Sequence, residues 1–165
     1  AMNRRELGGE HPTVAGGAAS LGYWLIAAGQ LDEAGRLLDE SLAIRRKAFG
    51  DGHVQVARTM TLYANLLLAR RDYAGAREAA AAARRILAAN LAPTHWQVAM
   101  AENAEGAALT GLRRYAEAEP LLLGSLPRLE GAPIPDLQAR GRERLARLYA
   151  AWNRPADAAR YARTR

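Results

Sequence analysis

The chain contains no cysteine, which excludes disulfide bonds, thiolate zinc sites and a cysteine nucleophile. It has no apolar run near the roughly 20 residues that a helix needs to cross a bilayer. Its first ten residues, AMNRRELGGE, hold no apolar signal-peptide segment. Because the lack of cysteine fits a reducing compartment, we expect a cytoplasmic protein with no membrane partner.

Motifs of enzyme chemistry are also missing. The glycine pairs lack the lysine and the spacing of a phosphate-binding loop, and no serine sits in a strained nucleophile turn. No base, nucleophile or set of metal ligands converges in the pattern. We therefore expect a protein that is not an enzyme and that has neither a cofactor nor a metal site.

Aromatic residues are scarce, at 6% of the chain, although half of the residues are hydrophobic and alanine dominates. Alanine has the highest helix propensity, and no segment shows the alternation of a strand. The composition therefore predicts an all-α fold. The net charge of +6 comes from arginine, since Lys47 is the only lysine, and it modestly favours acidic partners.

The three histidines recur at a fixed interval. His11, His53 and His95 lie 42 residues apart and open the similar phrases HPTVA, HVQVA and HWQVA. Such a period is typical of stacked helical units. Equivalent residues of stacked units lie too far apart to share one metal ion, whose ligands bind at about 2 Å. We interpret the histidines as structural residues that start the first helix of each unit and hydrogen-bond to the neighbouring turn.

The period predicts four units of two helices each, helix A and helix B, in a single repeat domain. They span residues 11–52, 53–94, 95–135 and 136–165, and the fourth is shorter and two residues out of phase. Turns between the two helices are expected at Gly29-Gln30, 70–72, 111–113 and 153–154. Because residues 4–8 align with residues 46–50, residues 1–10 are expected to end the helix B of a preceding repeat.

Small residues recur at fixed helix positions, where a larger side chain would overpack the helix crossing. In helix A they are Gly22, Ala64, Gly106 and Ala146, and in helix B they are Ala34, Ala76, Ala118 and Ala158, followed by Ser41, Ala83 and Ser125. Together with the phrase HPTVA…LDEAGRLLDESLAIRRKAFG, this pattern resembles the tetratricopeptide repeat in its 42-residue, kinesin-light-chain form. The closing segment LARLYAAWNRPADAARYARTR is similar to the ends of bacterial serine/threonine kinases with C-terminal repeats.

The resemblance implies an α-solenoid, a right-handed superhelix of antiparallel helix pairs. It also implies a non-catalytic scaffold for protein–protein interaction that holds a peptide or protein segment in its concave groove. The family's helix A register places these candidate groove residues: Tyr23, Arg58, Thr61, Asn65, Met100, Asn103, Thr110, Arg140, Glu143 and Arg147.

Some residues depart from the repeat pattern. Glu105 takes a helix A slot that faces the core, and we expect it to pair with Arg84 or Arg85 across a repeat joint, because an unpaired buried charge is too costly. Pro127 is expected to kink or end the third helix B.

Two alternative functions remain open at this stage. The array could be structural and self-associate through its N-terminal end. The arginine-rich fourth unit could instead bind an anionic partner such as nucleic acid, although no aromatic residues interleave with its arginines for base stacking.

Overall fold

A computed structural model describes residues 11–134 and 136–162, which form helices and no strand. The helices, in chain order, are α1 (Pro12–Ala27), α2 (Leu31–Phe49), α3 (Val54–Ala69), α4 (Tyr73–Asn90), α5 (Trp96–Gly111), α6 (Tyr115–Glu130), α7 (Leu137–Ala151) and α8 (Pro155–Ala162). The odd-numbered helices are the helices A, and the even-numbered ones are the helices B. The expected end of a preceding helix, at residues 1–10, lies outside the described residues.

The helices form two layers. Each helix packs on its neighbours in sequence, and α1, α3, α5 and α7 also contact one another in series. In the part of the chain that the structure describes, no two helices B contact each other. The helices A therefore form the inner, concave layer of the stack, and the helices B form the outer layer.

The turns between helix A and helix B lie where the sequence predicts them. The left-handed residue of each turn is Gly29, Arg71, Arg113 or Asn153, with φ between 57° and 77°. These positions are 42, 42 and 40 residues apart, so the fourth turn shows the predicted two-residue phase change. A backbone amide closes each turn onto the carbonyl five residues back, as from Gln30 to Leu25 (2.9 Å).

Small residues at the helix crossings let the paired helices touch. A Cβ added to Gly106 would stand 2.7 Å from Cγ of Leu122, and one added to Gly22 would stand 3.1 Å from Cγ of Leu38. Ala64, at the same slot of the second unit, is fully buried. The predicted reason for these small residues is confirmed, because any larger side chain there would collide with helix B.

The three histidines are the N-caps of α1, α3 and α5. Nδ1 of His11, His53 and His95 accepts a hydrogen bond from the backbone N–H two residues further on, at 3.1–3.2 Å. The predicted place at the start of helix A is confirmed. The hydrogen-bond partner is the first turn of the histidine's own helix, where unpaired amides need an acceptor, and not a neighbouring turn.

Pro127 does not end the third helix B, which was one of the two outcomes expected for it, since α6 continues to Glu130. A kink there stays a prediction. Proline removes one amide donor and crowds the preceding turn. The Arg128 guanidinium donates to the Gly124 carbonyl in that turn, from Nε at 3.2 Å and from Nη2 at 3.0 Å. The carbonyl that loses its amide donor at Pro127 is that of Leu123, four residues back, so these bonds do not replace the missing one.

Candidate functional site

The inner layer holds two pockets. All the predicted groove residues except Asn103 line one or the other. One pocket lies at the N-terminal ends of α1, α3 and α5, and the other lies towards the C-terminal ends of the same helices, against α7. The helix A register therefore located this concave surface, although its binding role stays a prediction.

The first pocket, which we call the aromatic pocket, has a volume of about 650 Å³. Its walls are largely apolar, and their largest side chains are those of Tyr23, Trp24, Phe49, Leu62, Trp96 and Met100. Trp24 is 67% exposed. Among the residues that the structure describes, the charged residues of its lining are two arginines, Arg45 and Arg58.

Arg45 reaches the aromatic pocket from α2. It is buried, and its Nη1 donates to the carbonyl oxygen of Gln55 at 3.0 Å and to Oγ1 of Thr59 at 2.6 Å. Burial, and then the positive charge of Arg58, lower the pKa of Arg45. Both acceptors are neutral, so they stabilise the guanidinium by hydrogen bonding without offsetting its charge.

The second pocket, which we call the arginine pocket, has a volume of about 500 Å³ and is lined by Arg140, Arg144 and Arg147 of α7. Nη1 of Arg144 donates to Oδ1 of Asn103 at 2.8 Å, and Nη2 donates to Oδ1 of Asn65 at 2.6 Å. Burial and the neighbouring arginines lower the pKa of Arg144, which stays protonated at neutral pH. One side chain thus joins the helices A of the second, third and fourth units.

Tyr23 stands at the border of the two pockets and lines both. Nη2 of Arg140 donates to the Tyr23 hydroxyl at 3.0 Å, and the guanidinium carbon lies 5.1 Å from the centre of the tyrosine ring. The fourth unit thereby touches the first across the groove. This contact divides the concave surface into its two pockets.

Several predicted groove residues have internal partners. Asn103 is 3% exposed, and besides accepting from Arg144 it donates from Nδ2 to Oγ of Ser125 at 3.1 Å. Thr61 is also buried, and its hydroxyl donates to the Ala57 carbonyl. Nδ2 of Asn65 donates to the Thr61 carbonyl. These side chains stabilise helices and joints, and the polar atoms of Asn103 and Asn65 are already engaged.

The joint between the second and third units carries the predicted ion pair. Nε of Arg84 lies 2.7 Å from Oε2 of Glu105, which is 7% exposed. Arg84 is thus the partner that the sequence left open between Arg84 and Arg85. In the third unit, Arg128 forms a further pair with Glu102.

The helix A register left out several residues that line the two pockets, among them Trp24, Arg45, Phe49, Trp96 and Arg144. Arg45 and Phe49 belong to helix B, which the groove register leaves out. A signal for Arg45 was present, because residues 42 and 84 positions further on are Leu87 and Leu129. The same comparison of equivalent positions, 42 residues apart, singled out Glu105.

The arginines of the fourth unit mostly contact acceptors of this chain. Besides Arg140 and Arg144, these contacts are Arg142 to Glu130, Arg147 to Glu143, Arg154 to Glu119 and Asp157, and Arg160 to Asp157. Among residues 136–162 these contacts engage the arginines with groups of the chain itself, which weighs against the nucleic-acid alternative. The side chains of Arg147 and Arg160 are nevertheless 73% and 74% exposed. Self-association stays a prediction, and Leu21, which is 49% exposed on α1, is compatible with it.

Within residues 11–134 and 136–162, no three histidine or acidic side chains lie close enough together to hold a metal ion. No helix in the same ranges is long and apolar enough to pass through a membrane.

Comparison with known proteins supports this description of the fold. Residues 13–89 match the tetratricopeptide repeat family. Two crystal structures of a Podosopora anserina protein described as a kinesin light chain with nearly identical TPR-like repeats, one of them a point variant, match 98% of this chain and 77% of theirs. Both are 21% identical, with TM-scores of 0.69 and 0.67. No curated protein matches the sequence. The predicted fold class, an all-α superhelix of antiparallel helix pairs, is confirmed, and it is shared with tetratricopeptide-like solenoids.

Proposed function

We propose that this chain is a non-catalytic protein–protein interaction module that binds a peptide segment in its concave groove. The aromatic pocket is the observation that carries the proposal. Exposed aromatic side chains around a concave, mostly apolar surface are typical of binding sites, because they bury much area on contact at little entropic cost. Tetratricopeptide repeats generally mediate protein–protein interactions, which agrees with this assignment.

The two pockets suggest different roles within the groove. In the arginine pocket, Asn65, Arg144 and Tyr23 already bond to one another or to Asn103 and Arg140. In the aromatic pocket, Trp24 is largely exposed, and the walls of α1, α3 and α5 are open. We therefore place the main anchor of the peptide in the aromatic pocket, with Tyr23, Arg58 and Met100 as contacts.

A peptide selection tests the proposal. A random peptide library displayed on phage is selected against the immobilised protein, and the selected peptides are titrated by fluorescence anisotropy. We expect Trp24→Ala to weaken their binding at least about tenfold, or about 1.4 kcal/mol, because tryptophan side chains are frequent binding hot spots. Since Trp24 is 67% exposed, its removal should leave the fold intact.

Leu123→Ala is the matched control, since it removes an exposed apolar side chain from α6 in the outer layer. Its binding constants should equal those of the unchanged protein. Equal affinity for Trp24→Ala and Leu123→Ala would contradict the proposal, and so would a library that yields no binding peptide.

A further inference from the structure

Helix α1 presents an uncharged face to solvent. Its exposed positions include Thr13, Gly17, Ser20, Leu21 and Trp24, which form one stripe along the helix. Leu21 and Trp24 are 49% and 67% exposed. Among the helices of residues 11–134 and 136–162, α1 alone contains no charged residue. Such a face is unusual at the end of a repeat stack, because terminal repeats need a polar outer face for solubility.

The equivalent faces of the other helices A are covered by the preceding helix B. Three positions are equivalent to Trp24 and are fully buried: Leu66, Ala108 and Leu148. Three are equivalent to Gly17 and are also buried: Thr59, Ala101 and Gly141. The covering helices are α2, α4 and α6, which pack on α3, α5 and α7. The exposed face of α1 is thus a joint surface of the repeat that no helix in the described part of the chain covers.

Gly17 has no packing role within the described residues. A Cβ added there meets nothing within 4 Å, whereas one added to Gly22 or Gly141 meets a leucine side chain at 3.1 Å. Glycine inside a helix costs about 0.5–1 kcal/mol relative to alanine. Because no contact of the described fold requires this glycine, we interpret it as space for a group that packs on α1 from outside.

The exposed face of α1 is complementary to a second copy of itself. In an antiparallel pair of α1 helices with a twofold axis between positions 20 and 21, Gly17 lies opposite the second copy's Trp24. Ser20 likewise lies opposite the second copy's Leu21, so each small residue faces a large apolar one. A twofold interface makes every such contact twice. Because α1 is uncharged, its pairing brings no like charges of the helix together, although the chain has a net charge of +6.

We propose that the exposed face of α1 binds a second copy of this chain and forms a twofold-symmetric dimer through antiparallel α1 helices. This interface is separate from peptide binding in the groove. Trp24 borders both surfaces, whereas Gly17 and Leu21 line neither pocket. One helix from each copy makes a small interface, so we expect a dissociation constant of roughly micromolar size.

Sedimentation velocity over a concentration series tests the interface. We expect the full chain to pass from monomer to dimer and to stop there, because a twofold interface closes on itself. Leu21→Glu should weaken the dimer at least about tenfold, since it brings two carboxylates together near the axis. Gly17→Gln should also weaken it, because the new side chain fills the space for the second copy's Trp24, while glutamine favours the helix.

Leu123→Glu is the matched control, because it makes the same change at an exposed leucine of α6 in the outer layer. It should dimerise like the unchanged protein. Circular dichroism verifies that each variant is folded. Leu21→Glu should bind the groove peptides selected above as tightly as the unchanged protein, so a failure of the interface is distinguishable from a failure of the groove function.

A cysteine beside the axis tests the orientation of the two copies. The chain has no cysteine of its own. Ser20→Cys should therefore link two copies through a short thiol-reactive crosslinker, because the two introduced thiols lie on either side of the axis. Thr94→Cys, which is exposed between α4 and α5, should not be linked.

Several results would overturn the proposal. A monomer at every concentration would do so, and it is also the result expected if residues 1–10 cover the face. Assemblies that keep growing beyond the dimer would indicate a head-to-tail contact instead. A dimer that Leu21→Glu and Gly17→Gln leave unchanged, or that Leu123→Glu weakens equally, would place the interface elsewhere. Equal crosslinking of Ser20→Cys and Thr94→Cys would reject the antiparallel α1 pair.

Discussion

The aromatic pocket and the arginine pocket share one concave surface, and each contains an arginine whose contacts reach differently far along the stack. Arg144 in the arginine pocket donates to side-chain oxygens on two other helices. Arg45 in the aromatic pocket donates to the Gln55 carbonyl and the Thr59 hydroxyl of the adjacent helix α3. All these acceptors are neutral, so the difference lies in the span of the contacts. Arg144 connects three units, and Arg45 connects two neighbouring ones.

The contacts that Arg144 and Arg140 make in the arginine pocket are unusual for a stack of repeats. Solenoid repeats are stabilised mainly by contacts between nearest neighbours. Arg144 reaches α3 from α7, and Arg140 reaches α1 from α7. These contacts bridge three or four units, so the fourth unit helps to fix the curvature of the groove in which the aromatic pocket lies.

The largest expected effect on stability comes from removing the contacts of Arg144. We expect Arg144→Leu to lower the free energy of unfolding by about 1–3 kcal/mol, because Oδ1 of the buried Asn103 would lose a donor, and an unsatisfied buried acceptor costs about that much. Asn65 is only half-buried at the pocket wall, so its Oδ1 adds little to this loss. Urea unfolding followed by circular dichroism measures the change.

Arg147→Leu is the control for this prediction. Its side chain is 73% exposed and pairs with Glu143 on the same helix, and such surface pairs contribute about 0–1 kcal/mol. If the two variants lose the same stability, the contacts of Arg144 do not stabilise the stack, and the contrast between the pockets fails.

Replacing the buried arginine of the aromatic pocket should change the free energy of unfolding in the opposite direction. We expect Arg45→Leu to raise the free energy of unfolding by about 1 kcal/mol, because it removes an uncompensated buried charge and restores the apolar side chain of the other joints. The Gln55 carbonyl and the Thr59 hydroxyl keep each other as partners, at 3.2 Å, after the change.

The same urea titration checks this second prediction. A loss of stability of similar size would show that Arg45 is needed for the joint, and both arginines would then be structural. A gain in stability joined to weaker binding of the selected peptides would be a trade-off typical of functional sites.

The sequence predicted the helices and turns well, because the 42-residue period ties each position to its equivalents. The positions of the turns and the pairing of Glu105 with an arginine of the preceding helix both followed from comparing equivalent positions of the repeats. The pattern left open whether Pro127 kinks or ends the third helix B, and the helix does not end there.

The pockets were predicted only in part, for a geometric reason. The position of a residue along helix A predicts the direction of its side chain but not the groups that this side chain contacts. It placed Asn103 in the groove, although Ser125 and Arg144 hold that amide within the joint. It omitted Arg45, whose long side chain extends from helix B to the concave side. Contacts across several units, such as Tyr23 with Arg140, depend on superhelical curvature, which no single repeat encodes.

The smallest effect concerns the border between the two pockets. A double-mutant cycle of Tyr23→Phe and Arg140→Gln should give a coupling energy of about 0.5 kcal/mol, measured by urea unfolding of the four proteins. Tyr23→Phe removes the hydroxyl that accepts from Arg140 at 3.0 Å but keeps the ring beneath the guanidinium. Since a cation–π contact of a partly exposed pair contributes about 0.5–1 kcal/mol, part of the attraction should survive that single change. A coupling of zero would mean that the hydrogen bond between the two side chains does not stabilise the fold, and the contact at the border of the pockets would then rest on the cation–π interaction alone.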